Sequence, residues 1–184
     1  AQVAIEAARA AMKGGISVLE VTMSTPDVFE ILQLLVEENP SASIGVGTVL
    51  NVSDAEKAVK FGAKFLMSPV MVKGILDMSM DNASSFLYIP GAMTPGEILS
   101  AHNAGAKIVK VYPVSALGGV NYIAAIKKPF SHIPLVASQG VSMETLDQYI
   151  THGASAVVLS NAIFDAEAMD RLNFCRIQQL ASIA

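Results

Sequence analysis

Short apolar stretches return along this chain at nearly even intervals. They occupy residues 17–22, 43–50, 65–69, 86–90, 108–113, 134–138 and 156–160, with start-to-start steps of 21 to 26 residues. None approaches the roughly 18 apolar residues that a membrane span requires. Between them lie amphipathic segments at 26–38, 53–61, 70–80, 94–103, 120–126 and 142–151, and residues 1–13 and 165–182 carry the same helical period. Brief, continuous apolar runs alternating with amphipathic helices predict βα units. Strands of this kind are buried on both faces of a parallel sheet.

The joints between these elements repeat as well. Gly14-Gly15, Gly62-Ala63-Lys64, Gly105-Ala106-Lys107 and Gly153-Ala154 each close a helix just before a strand. Glycine suits that position because a helix commonly ends on a residue with positive φ. Helix starts carry capping chemistry: Thr25-Pro26-Asp27, Ser53-Asp-Ala-Glu56 and Thr94-Pro95-Gly-Glu97 as capping boxes or Pro-led starts, and Ser142 ahead of Glu144.

The count is seven strands and eight helices, beginning with a helix. A complete (β/α)8 barrel needs eight of each. The fold expected is therefore α/β, a single TIM-barrel domain over residues 1–184, with its first strand upstream of Ala1. An open doubly wound sheet is the alternative. If the first strand is missing, the strands at 17–22 and 156–160 expose unpaired edges, a liability for aggregation or strand exchange.

Composition narrows the function classes. The 184 residues are 52% hydrophobic with a net charge of -4, and the mean hydropathy is +0.49. The only arginines are Arg9, Arg171 and Arg176. That balance argues against a nucleic-acid partner, which selects a basic surface, and no segment reads as a membrane partner. The lone Cys175 excludes an internal disulfide and favours a reducing compartment. The expected setting is intracellular and soluble: the cytoplasm, or an organelle such as the plastid if a transit peptide was removed.

Two charged side chains fall inside the strand stretches, Glu20 in Ser17-Val-Leu-Glu-Val-Thr22 and Lys110 in Ile108-Val-Lys-Val-Tyr-Pro113. Burying either ion is costly unless it is paired or its pKa shifts. Both sit near the C-terminal ends of their strands, where barrel active sites lie. Lys64 and Lys107 belong to the opposite rim and are expected to be solvated. A desolvated lysine beside a carboxylate is the arrangement for Schiff-base chemistry: the amine attacks a ketone and the carboxylate moves protons. A structural Lys–Glu ion pair with no reaction attached is the plainer alternative.

Other chemistry finds little support. His102 falls in a helix, His132 in a loop and His152 at a helix end, so no strand terminus offers a metal-ligand cluster and a metal is not expected. Each histidine reads as a surface or helix-capping residue. Cys175, between Phe174 and Ile177, reads as packing. Gly45-Val-Gly47-Thr48 lacks the dinucleotide fingerprint, and no phosphate-binding P-loop is present.

At Val18-Leu-Glu-Val-Thr22, Gly45-Val-Gly-Thr-Val-Leu50, Ser68-Pro69, Ile89-Pro-Gly91 and Val109-Lys-Val-Tyr-Pro113 the chain resembles the class I aldolases of 2-keto-3-deoxy-6-phosphogluconate (KDPG), which often also act on 4-hydroxy-2-oxoglutarate (KHG). The resemblance implies a TIM barrel, usually a homotrimer, with no metal or organic cofactor and a small 2-oxo acid as substrate. It implies Lys110 as the lysine that forms the Schiff base with pyruvate and Glu20 as the general acid/base. The implied substrate-binding set is Thr48, Ser24, Pro90, Gly118, Gly119, Ser138, Gly140 and Ser160.

The chain departs from the family pattern in three places. The family reads Glu-Val-Thr-x-Arg-Thr, with the arginine on the substrate carboxylate, where this chain has Ser24. Relatives carry Pro-Thr-Gly-Gly where Ala137-Ser-Gln-Gly140 stands, and Gly-x-Gly-Ser where Val158-Leu-Ser-Asn161 stands. Such glycines let backbone N–H groups approach a phosphate. The expected activity is reversible cleavage of a 2-oxo-4-hydroxy acid to pyruvate and an aldehyde. A non-catalytic barrel relative with a binding or assembly role is the alternative. A phosphate-binding isomerase or epimerase on the same barrel lacks the second acid/base pair it would need.

Overall fold

The computed structural model describes residues 1–81 and 85–184. The helices are α1 (Gln2–Lys13), α2 (Val28–Glu38), α3 (Val52–Lys60), α4 (Lys73–Met80), α5 (Pro95–Asn103), α6 (Val120–Lys127), α7 (Leu146–Thr151), α8 (Ala166–Asp170) and α9 (Phe174–Ile183). The strands are β1 (Val18–Thr22), β2 (Ser43–Gly47), β3 (Phe65–Met67), β4 (Leu87–Ile89), β5 (Gly91–Ala92), β6 (Val109–Val111), β7 (Leu135–Ser138) and β8 (Ala156–Val158). All neighbours pair in parallel, in the orders β1-β2-β3-β4 and β5-β6-β7-β8. Every apolar stretch of the sequence thus becomes a strand of a barrel wall, with the helices packed outside it.

One predicted strand does double duty. The stretch at 86–90 runs on to Ala92 and splits at Pro90 into β4, which pairs with β3, and β5, which pairs with β6. Proline has no N–H to give to a ladder, so pairing changes sides where it stands. Its carbonyl still serves, accepting the Lys110 N–H at 2.8 Å. This segment joins the two sheets into one curved wall.

Alternation along the strands sorts the core into two layers. Outward residues such as Ile44, Leu66, Val109 and Leu135 meet the inward faces of the helices at Ile31, Leu35, Ile75, Ile98 and Ile123, all of them buried. Burial of each such side chain is worth about 1.5–3 kcal/mol before chain entropy is subtracted. Inward residues Phe65, Met67, Ile89 and Val136 fill the barrel interior, with Ile108, Ala156 and Val158 against them. The margins of the wall, β1 and β8, share no ladder among the described residues. There Val18 is 61% exposed, and α1 and α9 pack together through Ala7, Ala11, Ile177 and Ala181.

Several local expectations are corrected. The box starting at Ser53 does not form: α3 begins one residue earlier, and the Asn51 side chain accepts the Asp54 N–H at 2.9 Å. The Thr94–Glu97 box does form, with the Glu97 carboxylate accepting the N–H groups of both Met93 and Thr94. The helix expected over 165–182 is two, because Leu172 turns at φ 53° and Asn173 caps α9. Helix α7 starts at Leu146, after a turn in which Thr145 Oγ1 accepts the Ser142 N–H. Lys64 is exposed as expected, and its ammonium also donates to the carbonyls of Pro40 and Ala42, at 2.9 and 2.6 Å. Cys175 is exposed rather than packed. His102 is not a plain surface residue either. Its Nδ1 is buried without a hydrogen-bond partner among the described residues, and its ring meets that of His132 edge-on at 5.2 Å.

Candidate active site

Glu20 and Lys110 come from β1 and β6, on opposite sides of the wall, and both point into its interior. The Lys110 ammonium lies 3.9 Å from Glu20 Oε1, with the side chains 9% and 16% exposed. Burial pushes the Glu20 carboxyl above the ordinary range, and the Lys110 charge pulls partly the other way. A carboxyl whose pKa is raised by burial holds its proton more readily than an exposed one, which suits an acid/base group. The pair shares the interior with the apolar cluster of Phe65, Met67, Ile89 and Val136, the last in register with Lys110.

Neighbouring strands make the room. Gly47 stands beside Glu20 on β2, and a Cβ at that position would fall on Glu20 Oε1. A glycine inside a strand marks such a close approach. On the other side, the Tyr112 ring lies on the same face of the chain as Lys110, its centroid 5.3 Å from the ammonium. The face of that ring favours a cation. Behind these groups, the buried Ser68 hydroxyl donates to the Val49 carbonyl at 2.5 Å. Ser68 also accepts from the Tyr88 hydroxyl at 2.9 Å, which in turn accepts the Val72 N–H. This chain of hydrogen bonds pins the loop between β3 and α4 to its neighbours.

The other expected site residues fall around this centre. Thr48, exposed directly after β2, holds φ at 62°, a conformation that usually belongs to glycine. Ser24 is exposed and hydrogen-bonded to Thr22 Oγ1 at 2.9 Å, so hydroxyls occupy this corner of the mouth. Pro90 is buried at the junction of the two sheets. Ser138 is 4% exposed at the end of β7, on the interior face shared with Val136, the register partner of Lys110. Gly140 holds φ at 77° in the next loop. Ser160 is exposed and donates to Asn161 Oδ1 at 3.1 Å.

Gly118 and Gly119 offer less than expected, because their N–H groups donate to the carbonyls of Ser115 and Val114. Sequence reasoning missed Gly47, Tyr112, Ser68, Tyr88 and Gln139. A glycine inside a strand and an aromatic two residues after Lys110 were the available signals for the first two. The rest are long-range contacts with no local signature. No group of three or more potential metal-ligating side chains occurs among the described residues.

A curved parallel βα wall carrying a buried amine beside an interior carboxylate at one mouth is the arrangement of barrel enzymes that work through a lysine. The chain belongs to the KDPG and KHG aldolase family, whose model matches residues 1–180. It is 30% identical to the KHG/KDPG aldolase of Escherichia coli over 97% of this chain and 83% of that protein. It is 31% identical to the 2-dehydro-3-deoxy-phosphogluconate aldolase of Pseudoalteromonas atlantica, over 98% and 83%. In structure it resembles the KDPG aldolase of Legionella pneumophila with pyruvate captured as a covalent carbinolamine. That similarity has a TM-score of 0.88 at 28% identity, covering 98% of this chain and 87% of the other. By that membership the protein is a lyase of the class I aldolase type.

Proposed function

We propose that the protein reversibly cleaves a 2-oxo-4-hydroxy acid to pyruvate and an aldehyde, with Lys110 as the Schiff-base lysine and Glu20 as the proton shuttle. The observation that carries the reading is the amine held 3.9 Å from a buried carboxyl whose pKa burial raises. The carbinolamine captured in the Legionella relative supports it, since a carbinolamine is the adduct of an amine with a carbonyl. KDPG and KHG are the substrates that the relatives' names carry.

The steps follow from the geometry. The neutral Lys110 amine adds to the C2 ketone, and protonated Glu20 gives its proton to the carbinolamine hydroxyl, which leaves as water and yields an iminium. The Glu20 carboxylate takes the proton of the C4 hydroxyl. The C3–C4 bond then breaks, its electron pair flowing into the iminium to give an enamine and a free aldehyde. Glu20, now protonated, returns the proton to C3. Water hydrolyses the resulting pyruvate iminium and frees the amine. The Tyr112 ring beside the nitrogen favours each cationic state. Thr48, Ser24 and Ser138 supply hydroxyls to the substrate carboxylate, and Pro90, Gly140 and Ser160 shape the rim.

We also take the protein as a homotrimer in the interior of a cell. Exposed apolar side chains on three consecutive mouth loops, Leu50, Val70, Met71 and Met93, support an interface between copies. No helix among the described residues is long and apolar enough to cross a membrane.

Borohydride reduction with pyruvate, followed by peptide mapping, tests the chemistry. A pyruvate adduct on Lys110, absent in Lys110→Ala together with at least about 10³-fold of the cleavage rate, is the expected result. An adduct on another lysine, or a Lys110→Ala variant as active as the parent, overturns the assignment.

A further inference from the structure

Thr48 is exposed and β-branched, yet its φ is 62°, in the left-handed region that such residues seldom adopt. A conformation of this kind persists only where its surroundings over-determine it. The turn from β2 to α3 is fastened on both sides of Thr48. Ahead of it the Gly47 carbonyl accepts the Met23 N–H at 2.9 Å, and behind it the Val49 N–H donates to the Met67 carbonyl at 3.0 Å. Val49 is fully buried, and no backbone N–H among the described residues reaches its carbonyl. A side chain supplies the donor instead, the Ser68 hydroxyl at 2.5 Å.

That hydroxyl is itself held. The Tyr88 hydroxyl lies 2.9 Å from Ser68 Oγ and 3.0 Å from the Val72 nitrogen. An N–H can only donate and a carbonyl can only accept, so each hydroxyl between them must pass its one proton the same way. The relay runs from the Val72 N–H through Tyr88 and Ser68 to the Val49 carbonyl. The other acceptor near the phenol, the Val70 carbonyl, is farther off at 3.4 Å. Ser68 is 0% exposed and Tyr88 1%, so neither hydroxyl is open to a substrate. Tyr88 belongs to the outer layer with Leu66, whereas its neighbour Ile89 fills the interior with Met67. In such a dry setting consecutive hydrogen bonds strengthen one another.

We propose that Tyr88 and Ser68 are positioning residues for the aldolase reaction: their relay holds the β2–α3 turn so that the Thr48 hydroxyl meets the carboxylate of the 2-oxo acid. The inference rests on the reading of Thr48 given above and adds what keeps that residue in place. Lys110 and Glu20 stand on β6 and β1, outside the relay. Slackening the turn therefore weakens the grip on the carboxylate and leaves the imine and proton-transfer steps in place. A contact made equally in the bound substrate and in the transition state enters KM and not kcat.

The test uses the full chain and two readouts, half-saturation by pyruvate in borohydride trapping and the steady-state cleavage of 4-hydroxy-2-oxoglutarate. Tyr88→Phe keeps the ring and removes one hydroxyl; half-saturation and KM are expected to rise about fivefold, with kcat within about twofold. Ser68→Ala also strips the Val49 carbonyl of its donor, and a rise of about tenfold is expected. In a Thr48→Ala background, where half-saturation is already raised, Tyr88→Phe is expected to add nothing further. Wild-type half-saturation in both Tyr88→Phe and Ser68→Ala, a loss confined to kcat or to urea stability, or additive losses in the double variant would overturn the proposal. Thr48→Ala with wild-type half-saturation overturns the reading of Thr48, and the relay's role with it. A wild type that forms no pyruvate adduct on Lys110 overturns the imine chemistry itself, and that failure is seen before any variant is made.

Discussion

The two ends of the barrel solve the same backbone problem with different residues. At the end where helices run into strands, the left-handed positions are glycines: Gly15, Gly62, Gly105 and Gly153, with φ between 97° and 113°. At the mouth, Gly118, Gly119 and Gly140 also take positive φ, but Asp27, Thr48 and Gln139 join them at φ of 58°, 62° and 79°. Glycine reaches this region without steric cost, whereas a residue with a Cβ is strained there. The helix-to-strand turns at the far end are therefore free of this strain. The mouth accepts strain where a side chain has to stand, as expected of a working site.

Replacing Gly47 attacks the mouth most directly. Gly47→Ala puts a methyl where Glu20 Oε1 lies, so the carboxylate must leave its place beside Lys110. Steady-state kinetics are expected to lose about 10²-fold or more in kcat. Unfolding should shift by no more than about 1–3 kcal/mol. A variant with wild-type kcat would separate the Glu20 position from the chemistry.

The pH dependence is the next largest effect. In the proposed mechanism cleavage needs Glu20 as carboxylate, and burial raises its pKa. The rate is therefore expected to fall on acidification at a pH above the ordinary carboxylate range. The linked stability has the opposite sense: a raised carboxyl pKa favours the folded state while protonated, and that contribution is lost as pH rises through the raised value. A kcat/KM profile with its acid limb at the ordinary carboxylate position would show the carboxyl to be solvated during turnover.

The smallest effects compare the two ends residue for residue. Gly105→Ala introduces a Cβ at φ 108°, against the Met80 sulfur, and is expected to cost about 1–2 kcal/mol in denaturant unfolding with kcat unchanged. Thr48→Gly relieves strain at the mouth, so it should leave stability within about 1 kcal/mol while raising KM for the 2-oxo acid. If both substitutions changed only stability, the contrast between the ends would be one of architecture and not of function.

Much of this was legible before any coordinates. The seven apolar stretches became strands in order, the helix-ending glycines at 62, 105 and 153 took positive φ, and the Thr94–Glu97 box formed. Each is a local event, decided by a few neighbouring residues. The misplaced ends were local competitions too close to settle from residue type: Asn51 against Ser53 as the cap of α3, and Leu172 breaking the last helix. Pro90 was visible as a residue, but its role as the seam between two sheets depends on which strands flank it.

Sequence alone determined the elements, their order, and the fact that Glu20 and Lys110 are the charges its strands must bury. It could do so because periodicity and burial cost act along the chain. Tertiary structure alone decided that these two groups meet at 3.9 Å, that Gly47 leaves the space for them, and that Ser115 and Gln139 bridge the mouth. Those contacts join residues far apart in the chain. Curvature of the wall and the register of its ladders bring them together, and no local pattern encodes either.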